Sequence, residues 1–154
     1  MGSRMIKYLK VGVLALTLTF VSNTSYAADI VEGLWLIENK RAVIEIKECD
    51  KGICGNIYWL THDARKFDSS NPDESLRNQP LCGLRILWGF DKIREGKWAN
   101  GRIYKADEGD VYRALVHSID EDTLKVRGFV GVPMFGETQI WSRVTNFNYD
   151  RCED

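Results

Sequence analysis

Apolar and polar side chains alternate along most of this chain. Ile44 and Ile46 alternate with Glu45 and Lys47, and Leu124 and Val126 with Lys125 and Arg127. A period of two places each set on its own face of an extended strand, so these segments read as strands with one buried face. The same character recurs in eight short segments: 33–38, 42–49, 53–60, 84–90, 101–106, 111–119, 123–130 and 138–144. Most of the joints between them are short and rich in Gly, Asp and Asn, the chemistry of tight hairpin turns. They include Asn39-Lys40-Arg41, Asp50-Lys51-Gly52, residues 91–100, Asp107-Glu108-Gly109, Asp120-Glu121-Asp122 and residues 131–136. Eight strands in hairpin order predict an all-β fold, an eight-stranded antiparallel up-and-down β-barrel, in which closure removes the exposed edges. A two-sheet sandwich is the alternative arrangement.

One stretch breaks the pattern. Residues 61–81 exceed what a compact domain usually carries as bare loop, and such loops are mostly functional or partly structured. Within it Asn71 suits an N-cap, Pro72 a first helical position and Glu74 a capping-box acid, so a short helical turn is expected over 72–77. Pro80 stops it, and Leu84, Ile86, Trp88 and Phe90 then share one face of a strand. The loop is expected to cover an open end of the barrel as a lid.

The first residues stand apart from this pattern. Arg4, Lys7 and Lys10 precede an apolar run from Val11 to Val21, and Ser25-Tyr26-Ala27 offers small residues for cleavage. Residues 1–27 therefore read as a signal peptide, with one domain over 28–154 and no membrane anchor. Export places the domain in the periplasm or outside the cell. Cleavage removes three positive charges and no acid, taking the net charge from −1 to −4. A mildly acidic chain without a basic cluster is a poor match to nucleic acid or anionic lipid.

All four cysteines, Cys49, Cys54, Cys82 and Cys152, lie beyond the leader. In an exported small domain an even count reads as two disulfides. Cys49 and Cys54 flank a hairpin turn, which leaves Cys82 for Cys152. No paired Cys-x-x-Cys unit is present and the chain has only 2 histidines, so no metal site is expected.

Several motifs together resemble one exported bacterial family. They are Gly33-x-Trp35, Cys54-Gly55, Asn71-Pro72-Asp73 through Leu76-Arg77, Gly83-x-x-Ile86-Leu87, and Arg127-Gly128-Phe129-Val130-Gly131 followed by Phe135-Gly136-x-Thr138-Gln139-x-Trp141-x-Arg143. The family is domain of unknown function 2147, and the likeness runs over essentially all of residues 28–154. It implies a lipocalin-like (calycin) barrel with no established catalytic role. In lipocalins a Gly-x-Trp opening closes the barrel base, and a late-strand Arg packs across the indole. Carried over here, that structural pair is Trp35 and Arg143.

Candidate ligand contacts follow from the barrel. Trp88, Trp141, Tyr104 and Tyr112 supply flat apolar walls with a few polar handles, which is how small-molecule cavities are built. Arg77 and Arg127 are candidate anchors for a carboxylate at the mouth. His62 and His117 have no Ser or Cys placed as an activated nucleophile, and no phosphate-cradling Gly loop or cofactor motif appears. The expectation is a binding protein for a small, largely apolar molecule, without catalysis or cofactor. The alternative is a protein-interaction module of the cell envelope with a filled barrel.

Overall fold

The computed structural model describes residues 29–50, 52–146 and 148–152, so the expected leader lies outside the described residues. Nine strands run in chain order: β1 Gly33–Leu36, β2 Ala42–Cys49, β3 Gly52–Leu60, β4 Arg85–Trp88, β5 Asp91–Arg94, β6 Lys97–Lys105, β7 Asp110–Ser118, β8 Thr123–Phe129 and β9 Gly136–Arg143. Sequence neighbours pair antiparallel from β1 to β4 and from β5 to β9, and β9 returns to β1. β4 and β5 both pair with β6, through Leu87↔Ile103 and Trp88↔Arg102 above and Asp91↔Ala99 and Lys92↔Trp98 below. They are two halves of one stave, kinked at Gly89-Phe90. The result is a closed, lipocalin-like antiparallel barrel of eight staves.

Two local expectations need correction. Residues 91–100 are not a plain joint but a hairpin, β5 and the start of β6 around Glu95-Gly96. Alternation misses it because β5 is exposed along its whole length. The helical turn is shorter than expected, a 3-10 turn over Glu74–Leu76 capped by Asp73, whose carboxylate accepts the Ser75 N–H at 2.9 Å. Asn71 instead uses its side-chain oxygen to accept the Asp73 N–H at 2.9 Å, two residues upstream of the cap. Glu74 does not close a capping box. It pairs with Arg77 at 3.2 Å.

Alternation decides the interior as it should. Ile44, Ile46, Leu124 and Val126 are buried while Lys47 and Lys125 face water. At one end the interior is filled by the core side chains of Val31, Trp35, Ile46, Ile53, Phe90, Trp98, Val116 and Leu124. Phe90 enters the barrel from the kink, and its ring lies where a side chain on Gly101 would sit, within 2.3 Å of a Cβ built there.

The base is closed by a stack. Trp35 is fully buried, directly opposite Arg143 on β9, whose guanidinium lies 4.2 Å from the indole ring centroid. The same guanidinium donates to three carbonyls, of Glu32 at 2.8 Å and of Ile30 and Glu121. The Trp35 Nε1–H donates to the Val31 carbonyl at 2.8 Å. Gly33 permits the approach: its φ is +130°, and a Cβ there would come within 2.6 Å of an Arg143 nitrogen. Beside this stack Asp29 meets the Lys92 ammonium at 2.8 Å and accepts the Val31 N–H at 3.1 Å. Burial opposes its charge, but those two partners hold its carboxyl below the ordinary 3.8.

Both disulfides form, Cys49–Cys54 across the β2–β3 hairpin and Cys82–Cys152 between the long loop and the tail. The tail runs outside β3. Cys152 N–H donates to the Tyr58 carbonyl at 2.9 Å, and Tyr149 meets Trp59 edge-on at 4.8 Å. Two such bridges point to an oxidising compartment.

Two stability measurements probe the base. Trp35→Ala should cost about 3–5 kcal/mol, as deletion of a large buried aromatic does. Arg143→Lys should cost about 1.5–3 kcal/mol, since an ammonium cannot stack and reach three carbonyls together. Urea melts of both variants that match the parent would refute this closure. For Asp29 a depressed folded-state pKa means stability that is complete above 3.8 and is lost as pH falls through the lower value. Asp29→Asn should therefore be less stable at neutral pH and lose less on acidification. Parallel curves for the two proteins would remove the carboxylate from the account.

Candidate functional site

The other half of the barrel is hollow. Its cavity has a volume of about 490 Å³ and opens between the β1–β2, β6–β7 and β8–β9 turns. Its lower walls are apolar, formed by Ile44, Ile57, Ile86, Ile103, Val126 and Trp141. These positions follow from the two-residue period. Glu137, Gln139 and Trp141 line one strand of the interior in the same way, from mouth to floor. Trp141 donates its Nε1–H to the Gln139 side-chain oxygen at 2.9 Å, so a polar pair stands over an otherwise apolar floor.

One side of the wall is not a strand. β4 spans only Arg85–Trp88, so the mouthward ends of β3 and β6 have no stave between them. Residues 61–84 fill that gap, with Ala64, Arg65 and Leu81 in the lining. The loop folds on itself through backbone bonds from Asp68 to Gln79 and from Leu81 to Lys66, at 3.0 and 2.9 Å. At its centre is Asp68, fully buried. One carboxylate oxygen accepts Asn71 Nδ2 at 2.7 Å and Gln79 Nε2 at 2.9 Å. The other accepts the Tyr104 hydroxyl at 2.7 Å and so fastens the loop to β6. Ser70 adds a bond from its hydroxyl to the Asp107 carbonyl at 3.1 Å. Burial, then the Asp68 carboxylate, push the Tyr104 hydroxyl up to about 12. The loop is thus built in as wall, and its helical turn lies away from the cavity lining.

The candidate residues separate cleanly. Trp141, Tyr104 and Tyr112 line the cavity. Trp88 and Arg77 do not: Trp88 is half-buried opposite Arg102, and Arg77 donates from Nε to the Asn71 carbonyl at 2.9 Å, bracing its own loop. Arg127 spends its donors on the Pro133 and Met134 carbonyls and the Thr138 hydroxyl, at 2.7, 3.2 and 2.6 Å, holding the β8–β9 turn. His117 sits among Lys97, Arg94 and Lys125, and burial, then those cations, push its imidazole down. Among the described residues no three His, Cys, Asp or Glu side chains gather as metal ligands would.

Apart from Tyr112, the rim was not anticipated from sequence. Lys105 reaches Glu108 at 2.7 Å and Glu137 at 3.5 Å, and Tyr112 donates to Glu108 at 2.6 Å. The Lys105 and Tyr112 hydrogen bonds hold Glu108 below the usual carboxylate range. Asn39, Arg41 and Arg65 stand on the rim as well. Beside it Val130, Val132, Met134 and Phe135 are well exposed, Met134 at 80%. One signal was available for this last group: a turn that carries Val, Met and Phe where polar residues are usual.

Residues 33–143 match the bacterial family described as an uncharacterized protein conserved in bacteria, domain of unknown function 2147. The chain belongs to that family. Among curated proteins none matches it. Among solved structures, this member of domain family 2147 is similar to protein HP1028 from Helicobacter pylori, described as belonging to the lipocalin family. The TM-score is 0.69 at 19% identity, over 75% of this chain and 84% of that one. At that identity the likeness concerns the fold.

The buried carboxylate gives a direct test of the loop as wall. Asp68→Ala strands three donors, and each buried donor left unsatisfied costs about 1–3 kcal/mol. The variant should lose stability, and amide exchange should quicken at residues 66–81 well before it does in β7 and β8. Uniform exchange across the molecule would show that Asp68 serves the barrel as a whole.

Proposed function

We propose that this protein binds a small, largely apolar molecule inside its barrel, outside the cytoplasm, and releases it chemically unchanged. The observation that carries the reading is the division of the interior: near the base Trp35, Phe90 and Trp98 are buried in the core outside the cavity lining, and the other half holds a cavity of about 490 Å³. That volume lies in the range of small-molecule sites, and an apolar chamber with a few placed polar groups is their usual composition. The two disulfides, together with the leader read at residues 1–27, support the periplasm or the cell exterior as its place. Affinity would come from burial against Ile44, Ile57, Val126 and Trp141, and orientation from Gln139 and the rim.

A second reading, an interaction module of the cell envelope, draws support from the exposed apolar turn at Val130, Val132, Met134 and Phe135. The two make different demands on the same molecule.

An environment-sensitive fluorescent fatty-acid analogue should bind one-to-one and quench tryptophan emission. Trp141→Ala should weaken binding by about ten-fold or more, the worth of a lost aromatic contact in a buried site. Trp88→Ala, on the outside, should leave affinity unchanged. Absence of saturable binding to the folded protein would sink the ligand reading and favour the interaction module. Equal losses for the two tryptophan variants would move the site out of the cavity.

A further inference from the structure

The cavity mouth is electrically two-sided. On the side of β6, β7 and β9, Lys105 is held between Glu108 and Glu137, with Asp107 beside them on the rim. On the side of the β1–β2 turn and the long loop stand Arg41 and Arg65, both lining the cavity. Among the described residues neither has a carboxylate within ion-pair distance, whereas Arg77 has Glu74 and Arg151 has Glu45. Arg41 commits one nitrogen, to the Asp63 carbonyl at 3.4 Å, and Arg65 one, to the Ser70 hydroxyl at 2.6 Å. The neighbouring Asp63 carboxylate accepts the Thr61 hydroxyl, and that bond first, with a smaller contribution from the Arg41 charge, holds it below the ordinary 3.8. A guanidinium carries five N–H donors, so most of each remains available in a fork that suits a planar anion.

We infer that the ligand is an anionic amphiphile, an apolar chain with a carboxylate-like head, and that Arg41 and Arg65 receive the head while the tail lies along the cavity. This rests on the ligand reading above and gives it a chemical class. The lower cavity offers the tail apolar walls and no cation. A head turned toward the floor would meet only apolar walls, and one placed against Glu108 or Glu137 would meet like charge, so the head settles at the arginines. A cationic amphiphile fits less well, because Glu108 and Glu137 are already engaged by Lys105. The two arginines are exposed, so water and salt screen them. The charge should therefore select among ligands by a modest factor and leave most of the affinity to burial.

The test uses residues 28–154 with intact disulfides and three probes of equal tail: dodecanoate, dodecanol and dodecyltrimethylammonium, each below its aggregation concentration. At low ionic strength and neutral pH, dodecanoate should bind about ten-fold more tightly than dodecanol, the worth of one charge-assisted hydrogen bond. The cation should bind weakest. Arg41→Gln with Arg65→Gln should bring dodecanoate down to the dodecanol value and leave dodecanol unchanged. High salt should do the same to the parent protein. Equal binding of acid and alcohol, or tightest binding of the cation, overturns the assignment while leaving the cavity reading intact. A double variant that weakens acid and alcohol alike also overturns it, because the arginines would then be supports of the wall. If no probe binds, the ligand reading and this one fall together.

Discussion

The contact on which this barrel depends is the guanidinium of Arg143 lying on the indole of Trp35. A β-barrel must be closed twice, once around its circumference and once at its base, and this contact serves both. Around the circumference, Trp35 and Arg143 are register partners in the β1–β9 seam, where the first strand meets the last. At the base, the donors of Arg143 gather the carbonyls of Ile30, Glu32 and Glu121, drawing the leading segment and the β7–β8 turn under the plug. Stacking is worth about 0.5–2 kcal/mol, and charge-assisted bonds add to it. The interaction is also one that only this pair of side chains offers. Lysine lacks the planar face, and any residue but glycine at position 33 would stand in the way.

From that seal the interior divides along its axis. Near the base, two tryptophans and a phenylalanine fill the narrow cross-section, and Gly101 yields its volume to the ring of Phe90. Toward the mouth Ile44, Ile57, Ile86, Val126 and Gly128 leave room between Trp141, Tyr104 and Tyr112, and one stave stops short. Eight strands set a bore at which either a packed core or a small chamber is feasible. Here side-chain size along the strands selects both, one above the other. The buried Asp68 then completes the chamber wall. A carboxylate removed from water is costly unless its acceptor sites are used, and here Asn71, Gln79 and Tyr104 use them.

Much of this was legible along the chain. Alternation marks a strand wherever one face is buried and the other wet, which describes β2 and β8 well. It fails for β5, where Asp91, Lys92, Ile93 and Arg94 are all exposed and nothing oscillates. The disulfide partners were legible because a hairpin turn decides one pair. The seal was legible because a Gly-x-Trp opening and a late Arg resemble lipocalins. The chamber was not, since Ile44, Ile57, Ile86 and Val126 read the same lining a void as filling a core. Arg41 and Arg65 were missed for another reason. They belong to different turns and come together only after the long loop has folded back beside β3. Trp88 was misread because alternation breaks in this stave: Ile86 lines the chamber, Leu87 is fully buried beside it, and Trp88 no longer shares a face with Ile86.

The short stave bears on how such a protein can change. In a barrel of continuous strands, an insertion in any wall shifts a register and turns every following side chain to the opposite face. Here one sector of the wall is irregular chain whose ends are anchored, and lengthening a loop costs little in closure entropy. A change of length at an exposed turn of this segment, away from Asp68, the Phe67–Pro80 bridge and Cys82, shifts no register among the nine strands. The dimensions and polarity of the chamber can therefore drift while the seal at Trp35 and Arg143 stays fixed. The barrel is in effect a walled chamber with one panel that can be recut while the other staves keep their register.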